Sequence, residues 1–179
     1  METKNLADLY SLATLRWSDI ESGLAEGFPQ APHSGGPDRH SCWLSTIDPD
    51  GSPHLTGLGM LWAEGTLWFE TGPRTRKARN LARDPRCAVS VATQGFDLVV
   101  EGTAARVTDP DTVARMAQRW VDAGWPCRVD DSGRALTAEF SAPSAGSPPW
   151  HVYRVTASSA TAVATVEPGG ATRWFFDRD

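Results

Sequence analysis

Apolar and polar residues alternate in several short stretches along the middle and the end of this chain. Such alternation is typical of strands that bury one face. The stretches run over residues 40–48, 53–62, 65–70, 86–93, 96–107, 150–166 and 171–176. The first two flank the turn sequence Asp48-Pro49-Asp50-Gly51, which predicts a hairpin. We expect the first five strands to form an antiparallel meander with one inserted helix. The set as a whole predicts a mainly β protein, built as a barrel or a sandwich.

Helical periodicity is confined to three places. Leucine and isoleucine recur at helical intervals over residues 5–25, which predicts one or two amphipathic helices. A second helix is predicted to begin at Asp109-Pro110 and to end at Gly124. The third, a short one, follows Thr75, which can act as its N-cap.

The remaining stretches suggest how the chain is divided. Residues 29–38 are rich in proline and glycine and predict a linker or loop, and residues 129–149 lack periodicity and also predict a loop. We therefore expect an N-terminal helical arm with its linker over residues 1–38. A β-barrel domain is expected over residues 39–179, with its loop-rich stretch at 129–149.

The segment from Thr71 to Arg86 carries a strong local charge. It contains six basic residues and one acid, although the formal net charge of the whole chain is −5. The basic residues on or beside the first helical turn are Arg74, Arg76, Lys77 and Arg79. Free backbone N–H groups and the helix dipole favour an anion at such a turn. Two interpretations stay open at this point: a phosphate site, or a solvated basic helix face.

Composition excludes several classes of function. The length of 179 residues fits one domain, and no apolar run approaches the roughly 20 residues of a membrane span. The N-terminus lacks the layout of a signal peptide. Three cysteines, an odd number, argue for a reducing compartment, so we expect a cytoplasmic protein. The negative charge disfavours binding to nucleic acids or acidic membranes.

Catalytic motifs are conspicuous by their absence. The sequence has no Gly-x-Ser-x-Gly, His-Glu-x-x-His, Cys-x-x-Cys or phosphate-loop motif, and its four histidines have no metal-ligand spacing. Asp48 and Asp50 are explained by their turn, and Cys42 lies in a predicted strand as a buried thiol. No catalytic residue and no metal site are therefore assigned. This pattern is expected when a bound cofactor carries the chemistry.

An ordered set of short motifs carries a family resemblance over roughly residues 40–125. The motifs are Trp43-Leu44-Ser45-Thr46, Asp50-Gly51-Ser52-Pro53-His54, Gly65-x-Leu67-x-Phe69, Thr71 with Arg76-Lys77-Ala78-x-Asn80-Leu81-x-x-Asp84-Pro85, and Asp97-Leu98-Val99-Val100-Glu101-Gly102. In this order the chain resembles the FMN-binding split β-barrel superfamily, which includes pyridoxamine-5′-phosphate oxidase and the flavin/deazaflavin oxidoreductases.

The resemblance implies a six-stranded antiparallel split β-barrel with flanking helices. It also implies a homodimer in which cofactor clefts lie at the subunit interface. The family's cofactor contacts map onto Thr56, Gly57, Leu58, Gly59, Glu70, Thr71, Arg76 and Lys77. We expect the side chains of the last two to be solvent-accessible without a ligand.

Three departures from the oxidases bear on the cofactor. Thr56 stands where they carry an arginine that contacts the FMN phosphate, Asp97 stands where they carry a glutamine, and their C-terminal Arg-x-His motif is missing. The chain is more similar to the branch that uses the deazaflavin coenzyme F-420, whose acidic tail the arginines Arg74, Arg79 and Arg83 are expected to attract. The resemblance implies hydride transfer to a small conjugated substrate. An FMN-dependent oxidoreductase and a non-catalytic flavin- or deazaflavin-binding protein remain alternatives.

Overall fold

The computed structural model of the chain describes residues 1–27, 41–140 and 144–177. Its strands are β1 (Glu2–Asn5), β2 (Ser41–Ile47), β3 (Pro53–Gly59), β4 (Leu61–Ala63), β5 (Thr66–Thr71), β6 (Arg86–Ala92), β7 (Phe96–Val107), β8 (Arg128–Val129), β9 (Leu136–Thr137), β10 (His151–Ala164) and β11 (Ala171–Phe175). Its α-helices are α1 (Trp17–Ala25), α2 (Arg76–Arg83) and α3 (Pro110–Asp122), and a 3-10 helix covers Asp8–Tyr10. The predicted linker at 29–38 lies outside the described residues. Within them, no helix is long and apolar enough to cross a membrane.

Nine strands of the described chain form one antiparallel sheet. Its main order is β1-β11-β10-β7-β6-β2-β3, with β5 on the same edge of β10 as β11, and β4 beside β5. The remaining two strands, β8 and β9, pair with each other. The mainly β fold class and the split barrel are thus confirmed, although this sheet has nine strands rather than the expected six.

Strand β10 is where the barrel splits. One edge of this 14-residue strand pairs with β7 along nearly its whole length. The opposite edge pairs first with β5, over residues 151–154, and later with β11, over residues 159–163. The register against β7 shifts between Ala157 and Ser159, which marks a bulge. Because a bulge bends and twists a strand, β10 can serve two differently directed parts of the sheet.

The predicted meander of five strands is wrong. Strand β6 pairs with β2 and β7, whereas β5 leaves this group and pairs with β10 and β4. Two features of the chain between β2 and β6 permit this order. The predicted second strand breaks at Met60 into β3 and β4, and α2 carries the chain from β5 to β6.

Two clusters of buried side chains support the sheet. The larger one fills the barrel and includes Leu44, Phe69, Leu98 and Trp174. The second lies between β5, β10 and α3, and includes Trp68, Met116, Trp120, Leu136 and Trp150. Strand β5 serves both clusters because its successive side chains point to opposite faces. Leu136 also shows that the predicted loop at 129–149 contributes part of the second cluster.

The N-terminal segment differs from its helical prediction. Within residues 5–25, the structure has the short 3-10 helix and α1 only, and the strand β1 precedes them. Ile20 and Leu24 are buried against the barrel core, whereas Leu6 and Leu9 are exposed. Strand β1 pairs with β11, some 170 residues away in the sequence, so no local pattern signals it. The domain division at residue 38 stays a prediction.

Gly102 provides a test of the β7–β10 contact. A Cβ atom at this position would lie 2.0 Å from the carbonyl oxygen of Thr156, so Gly102→Ala forces the two strands apart. We expect the free energy of unfolding to fall by an amount at or above the upper end of the about 1–3 kcal/mol typical of overpacking. Chemical denaturation measures the loss.

Gly95 offers the matched control for this substitution. A Cβ atom there would meet no other heavy atom within 4 Å, so Gly95→Ala should change stability far less. Equal stability of the two variants would contradict the close packing of β10 on β7.

Candidate functional site

The start of α2 is organised by the hydroxyl group of Thr75. This hydroxyl accepts a hydrogen bond from the backbone N–H of Ala78 (3.3 Å) and donates one to the carbonyl of Gly72 (2.9 Å). Thr75 is therefore the N-cap, as its sequence position predicts. Gly72 is in turn held by the carbonyl of Ala145, 2.8 Å from its backbone nitrogen. These contacts fix the junction of β5 and α2 against the segment that precedes β10.

Two backbone N–H groups at this helix start have no protein acceptor within the part of the chain that the structure describes. They belong to Arg76 and Lys77, since the next two N–H groups bond to the hydroxyl and the carbonyl of Thr75. Free N–H groups at the positive end of a helix dipole favour a bound anion. The junction therefore has the donors that a phosphate group requires.

The side chain of Arg76 is anchored by Asp48. Its Nε donates to Oδ1 of Asp48 at 2.8 Å, and its Nη2 binds Oδ2. Asn80 donates to the same Oδ1 at 2.9 Å. The Arg76 side chain is 58% exposed, whereas that of Asp48 is only 4% exposed. The hydrogen bonds from Arg76 and Asn80 hold the pKa of Asp48 below its usual range.

Asp48 is thus the residue whose role the sequence interpretation missed. Its backbone does form the predicted turn, since it bonds to Gly51 and Ser52. Its side chain, however, crosses to α2, and the turn motif hides this second role. Asp50 behaves as expected, because its carboxylate accepts from the backbone and hydroxyl of Ser52.

Lys77 is buried, and the expectation that it is solvent-accessible is wrong. Only 4% of the residue is exposed, and its Nζ donates to the carbonyl of Ser144. Burial lowers the pKa of Lys77, and the nearby Glu70 opposes this shift. Burial also raises the pKa of Glu70 to about 8, against the attraction of Lys77. The expectation of exposure is confirmed for Arg76 only.

Glu70 and Thr71 lie on opposite faces of β5. Glu70 is close enough to Cys127 of the second cluster to raise the pKa of that thiol, although burial is the larger cause. Thr71 is fully buried on the face of Phe69, and its hydroxyl lies 2.9 Å from that of Thr75. A ligand in one cleft can therefore contact only one of these two side chains.

The four candidate residues of β3 also divide between two faces. Leu58 is buried in the barrel core, opposite Cys42 on β2, and Thr56 lies on the same face. Gly57 and Gly59 lie on the outer face, where the ring of Trp43 covers Gly57. Backbone approach to a planar ligand is therefore open at Gly59, whereas the Trp43 ring lies over Gly57 and Leu58 offers only its main chain. The full set of eight contacts stays a prediction.

Carboxylates reduce the positive charge of the basic segment. Arg76 pairs with Asp48 from the β2–β3 turn, and Arg86 pairs with Asp84. Arg83 donates to the carbonyl of Ile47. Arg83 is one of three arginines of this segment that are exposed without a carboxylate partner among the described residues, and the other two are Arg74 and Arg79.

These two arginines lie close to a cavity at the helix start. Nη1 of Arg79 donates to the carbonyl of Arg74 at 2.7 Å. Arg74 lines a cavity of about 500 Å³ together with Gly72, Thr75 and residues 145–149. An anion at the helix start would therefore meet exposed positive charge nearby.

Comparison with known proteins identifies relatives over most of the chain. The family model described as pyridoxamine 5'-phosphate oxidase matches residues 36–164. A pyridoxine/pyridoxamine 5'-phosphate oxidase from Thermobifida fusca (strain YX) is 39% identical over 79 residues. That match covers 42% of this chain and 36% of the relative, so it spans about a third of the relative's length.

Solved structures show the same fold. A conserved hypothetical protein from Mycobacterium tuberculosis is 23% identical, with 89% of this chain and 88% of that chain covered and a TM-score of 0.59. A pyridoxamine 5'-phosphate oxidase-related, FMN binding protein from Nostoc punctiforme PCC 73102 is 17% identical, with 94% of both chains covered and a TM-score of 0.59. At these identities the likeness establishes the fold alone.

The half-buried Glu70 predicts a pH dependence of stability. Its pKa is about 8 in the folded protein against an ordinary value of 4.5, so the folded state keeps a proton that the unfolded chain loses. The stabilisation is therefore complete below about pH 4.5 and is lost as the pH rises through about 8. Relative to Glu70→Gln, which has no titrating group there, the free energy of unfolding of the natural protein should fall across this window.

Denaturant unfolding at a series of pH values measures this difference. Glu64→Gln is the control, because the carboxylate of Glu64 is exposed and pairs with Arg115. This variant should keep the pH profile of the natural protein. Parallel profiles for Glu70→Gln and the natural protein would show that Glu70 does not hold the proton.

Proposed function

This chain belongs to the pyridoxamine 5'-phosphate oxidase family, and we propose that it is an oxidoreductase that binds the deazaflavin coenzyme F-420. The observation that carries the proposal is the start of α2, where two free N–H groups adjoin an arginine held by a buried carboxylate. We propose that this site binds the phosphate of the cofactor. The bound cofactor would supply hydride to a small conjugated substrate, so the protein needs no acid or base of its own for that step.

The donors at this junction fit a phosphate group. Arg76 uses Nε and Nη2 on Asp48, which leaves Nη1 available and the side chain fixed in direction. Hydrogen bonds between a guanidinium and a phosphate are of the strong, charge-assisted kind. The exposure of Arg76 supports its role as the cofactor contact, whereas Lys77 would have to leave Ser144 to reach a ligand.

The preference for the deazaflavin rests on Thr56 and on two exposed arginines. The oxidases make a charge-assisted contact to the FMN phosphate from an arginine at this position. Thr56 has a neutral hydroxyl instead, so this contact is missing. The acidic tail of coenzyme F-420 can compensate through Arg74 and Arg79, which lie beside the cavity at the helix start. Of the three expected tail contacts, Arg83 should contribute least, because it is the last residue of α2 and therefore lies farthest along the helix from its start.

FMN is the second candidate cofactor. It is favoured by the fold shared with the FMN binding protein of Nostoc punctiforme. A non-catalytic flavin- or deazaflavin-binding protein remains a third possibility on the same site. In all three cases we propose a cytoplasmic location, in keeping with three cysteines that are all free thiols.

We also propose that the chain acts as a homodimer. The proposal is supported by large apolar side chains on the outer face of the sheet. Trp43 on β2 is half exposed, and Leu55 on β3 and Val99 on β7 are exposed on the same face of the sheet. Exposed apolar side chains grouped on one face are typical of an interaction surface.

The cofactor proposal predicts a salt-dependent preference. Loss of one charge-assisted contact costs FMN about tenfold to a hundredfold in affinity, and screened contacts to the acidic tail return part of this to coenzyme F-420. Titration at low and high ionic strength should show tighter binding of coenzyme F-420, by a margin that shrinks with salt. Tighter binding of FMN at both ionic strengths would replace the deazaflavin with FMN.

Two arginine variants separate the phosphate contact from the tail contact. Arg76→Ala should weaken both cofactors by about tenfold or more, because it removes the phosphate contact that they share. Arg79→Ala should weaken only coenzyme F-420, by a small factor, since exposed ion pairs are weak. If Arg76→Ala leaves both dissociation constants unchanged, the start of α2 is not the cofactor site.

The dimer predicts a mass in sedimentation of about twice the 19.4 kDa of the chain. Leu55→Asp places a charge in the apolar patch and should yield monomers. Leu9→Asp is the matched control at an exposed leucine outside the patch, and it should leave the mass unchanged. A monomer that still binds its cofactor tightly would contradict the dimeric cleft.

A further inference from the structure

A second cavity, of about 460 Å³, lies on the opposite side of α2 from Arg76. The side chains of α2 that line it are Ala78, Leu81 and Ala82, which project about half a turn away from Arg76. The rest of its wall comes from Pro73, Pro85 and the ends of β7 and β10. Of the described lining, this cavity shares only Pro73 with the cavity at the helix start.

Three polar side chains enter this otherwise apolar cavity: Arg106, His151 and Tyr153. The pairing of β7 with β10 brings them together, because Tyr153 lies directly opposite Arg106. His151 precedes Tyr153 by two residues and therefore lies on the same face. Their proximity is fixed by the sheet and needs no movement of a loop.

Tyr153 is held rigidly in this position. Only 6% of the residue is exposed, and its ring stacks on that of Phe69 with centroids 5.0 Å apart and planes 3° apart. Burial raises the pKa of its phenol, so the hydroxyl remains protonated and can donate. The pKa of His151 is lowered, mainly by burial and secondly by the charge of Arg106. Asp130 opposes this shift. A neutral imidazole still has one N–H to donate.

None of these three side chains has a hydrogen-bond or ion-pair partner among residues 1–27, 41–140 and 144–177. All three are donors, and the described lining of the cavity includes no carboxylate. Arg106 and Ala82 are exposed, so the cavity opens to solvent on this side, and a guanidinium, a phenol and an imidazole on one wall without an acceptor of their own match an oxyanion. Because part of the cavity wall is apolar, an anion with an apolar body fits the cavity better than an inorganic anion does.

We propose that this cavity binds a small organic acid, with its carboxylate on Arg106, His151 and Tyr153 and its apolar body against Ala78 and Leu81. The site is separate from the proposed cofactor site, which lies on the other face of α2. The proposal therefore does not depend on which cofactor the protein uses.

Calorimetric titration with benzoate tests the proposal. Benzamide has the same shape without the charge, and inorganic phosphate has charge without the apolar body. We expect benzoate to bind at least about tenfold more tightly than either compound, as for hydrogen bonds to a charged group. Phosphate binding as tight as that of benzoate would overturn the assignment of an organic acid.

Substitutions at the rim locate the binding site. Ala82 is exposed, so Ala82→Asp places a carboxylate at the mouth without disturbing the core, and Ala82→Asn is its neutral match. Benzoate affinity should fall about tenfold in Ala82→Asp and stay near the natural value in Ala82→Asn. Arg106→Gln should also cost about tenfold or more. Equal affinity in Ala82→Asp and Ala82→Asn, or unchanged affinity in Arg106→Gln, would overturn the site.

Cofactor titration of the same Arg106→Gln protein distinguishes the two proposals. Unchanged binding of FMN and coenzyme F-420, together with lost benzoate binding, is expected for two separate sites. Parallel loss of benzoate and cofactor would instead show one shared site and would overturn the second one.

Discussion

The division of strand β10 between two partners is the constraint on which both sites depend. Its first residues pair with β5 and its later residues with β11, while β7 pairs along the other edge. The pairing with β5 places the end of that strand, and hence the start of α2, beside the segment 144–149. The pairing with β7 sets Tyr153 opposite Arg106. One strand therefore builds the helix-start site on one side of α2 and the donor cavity on the other.

Asp48 fixes the direction of the Arg76 side chain at the start of α2. An exposed arginine on a short helix would sample many rotamers, and fixing it costs conformational entropy when a ligand binds. Two nitrogens of the Arg76 guanidinium donate to the buried carboxylate of Asp48. The side-chain amide of Asn80 donates to the same carboxylate. The conformational entropy of the Arg76 side chain is therefore lost when the protein folds and not when the ligand binds. The same pairing reduces the net charge, so the site attracts anions mainly through directed donors.

Lys77 is buried beside the half-buried Glu70, and each affects the pKa of the other. Lys77 donates to the carbonyl of Ser144 and faces a carboxyl group whose pKa burial raises to about 8. Burial disfavours the charged form of both groups, and the hydrogen bond to Ser144 offsets part of the desolvation of the Lys77 ammonium. Lys77 therefore stabilises the segment before β10, a role that the resemblance to the family did not imply.

The local features could be predicted from the sequence: the longer strands, the turn after Asp48, the N-cap at Thr75 and the concentration of basic residues on α2. Each of these depends on neighbours within a few residues, so alternation, turn chemistry and capping preferences are sufficient to identify them. The partners of the charged groups, in contrast, depend on the three-dimensional fold. Asp48 reaches α2 across 28 residues, and Lys77 reaches Ser144 across 67. The order of the strands, the pairing of β1 with β11 and the meeting of Arg106 with Tyr153 are likewise long-range, because hydrogen-bonded pairing between distant strands leaves no periodic signal in either one.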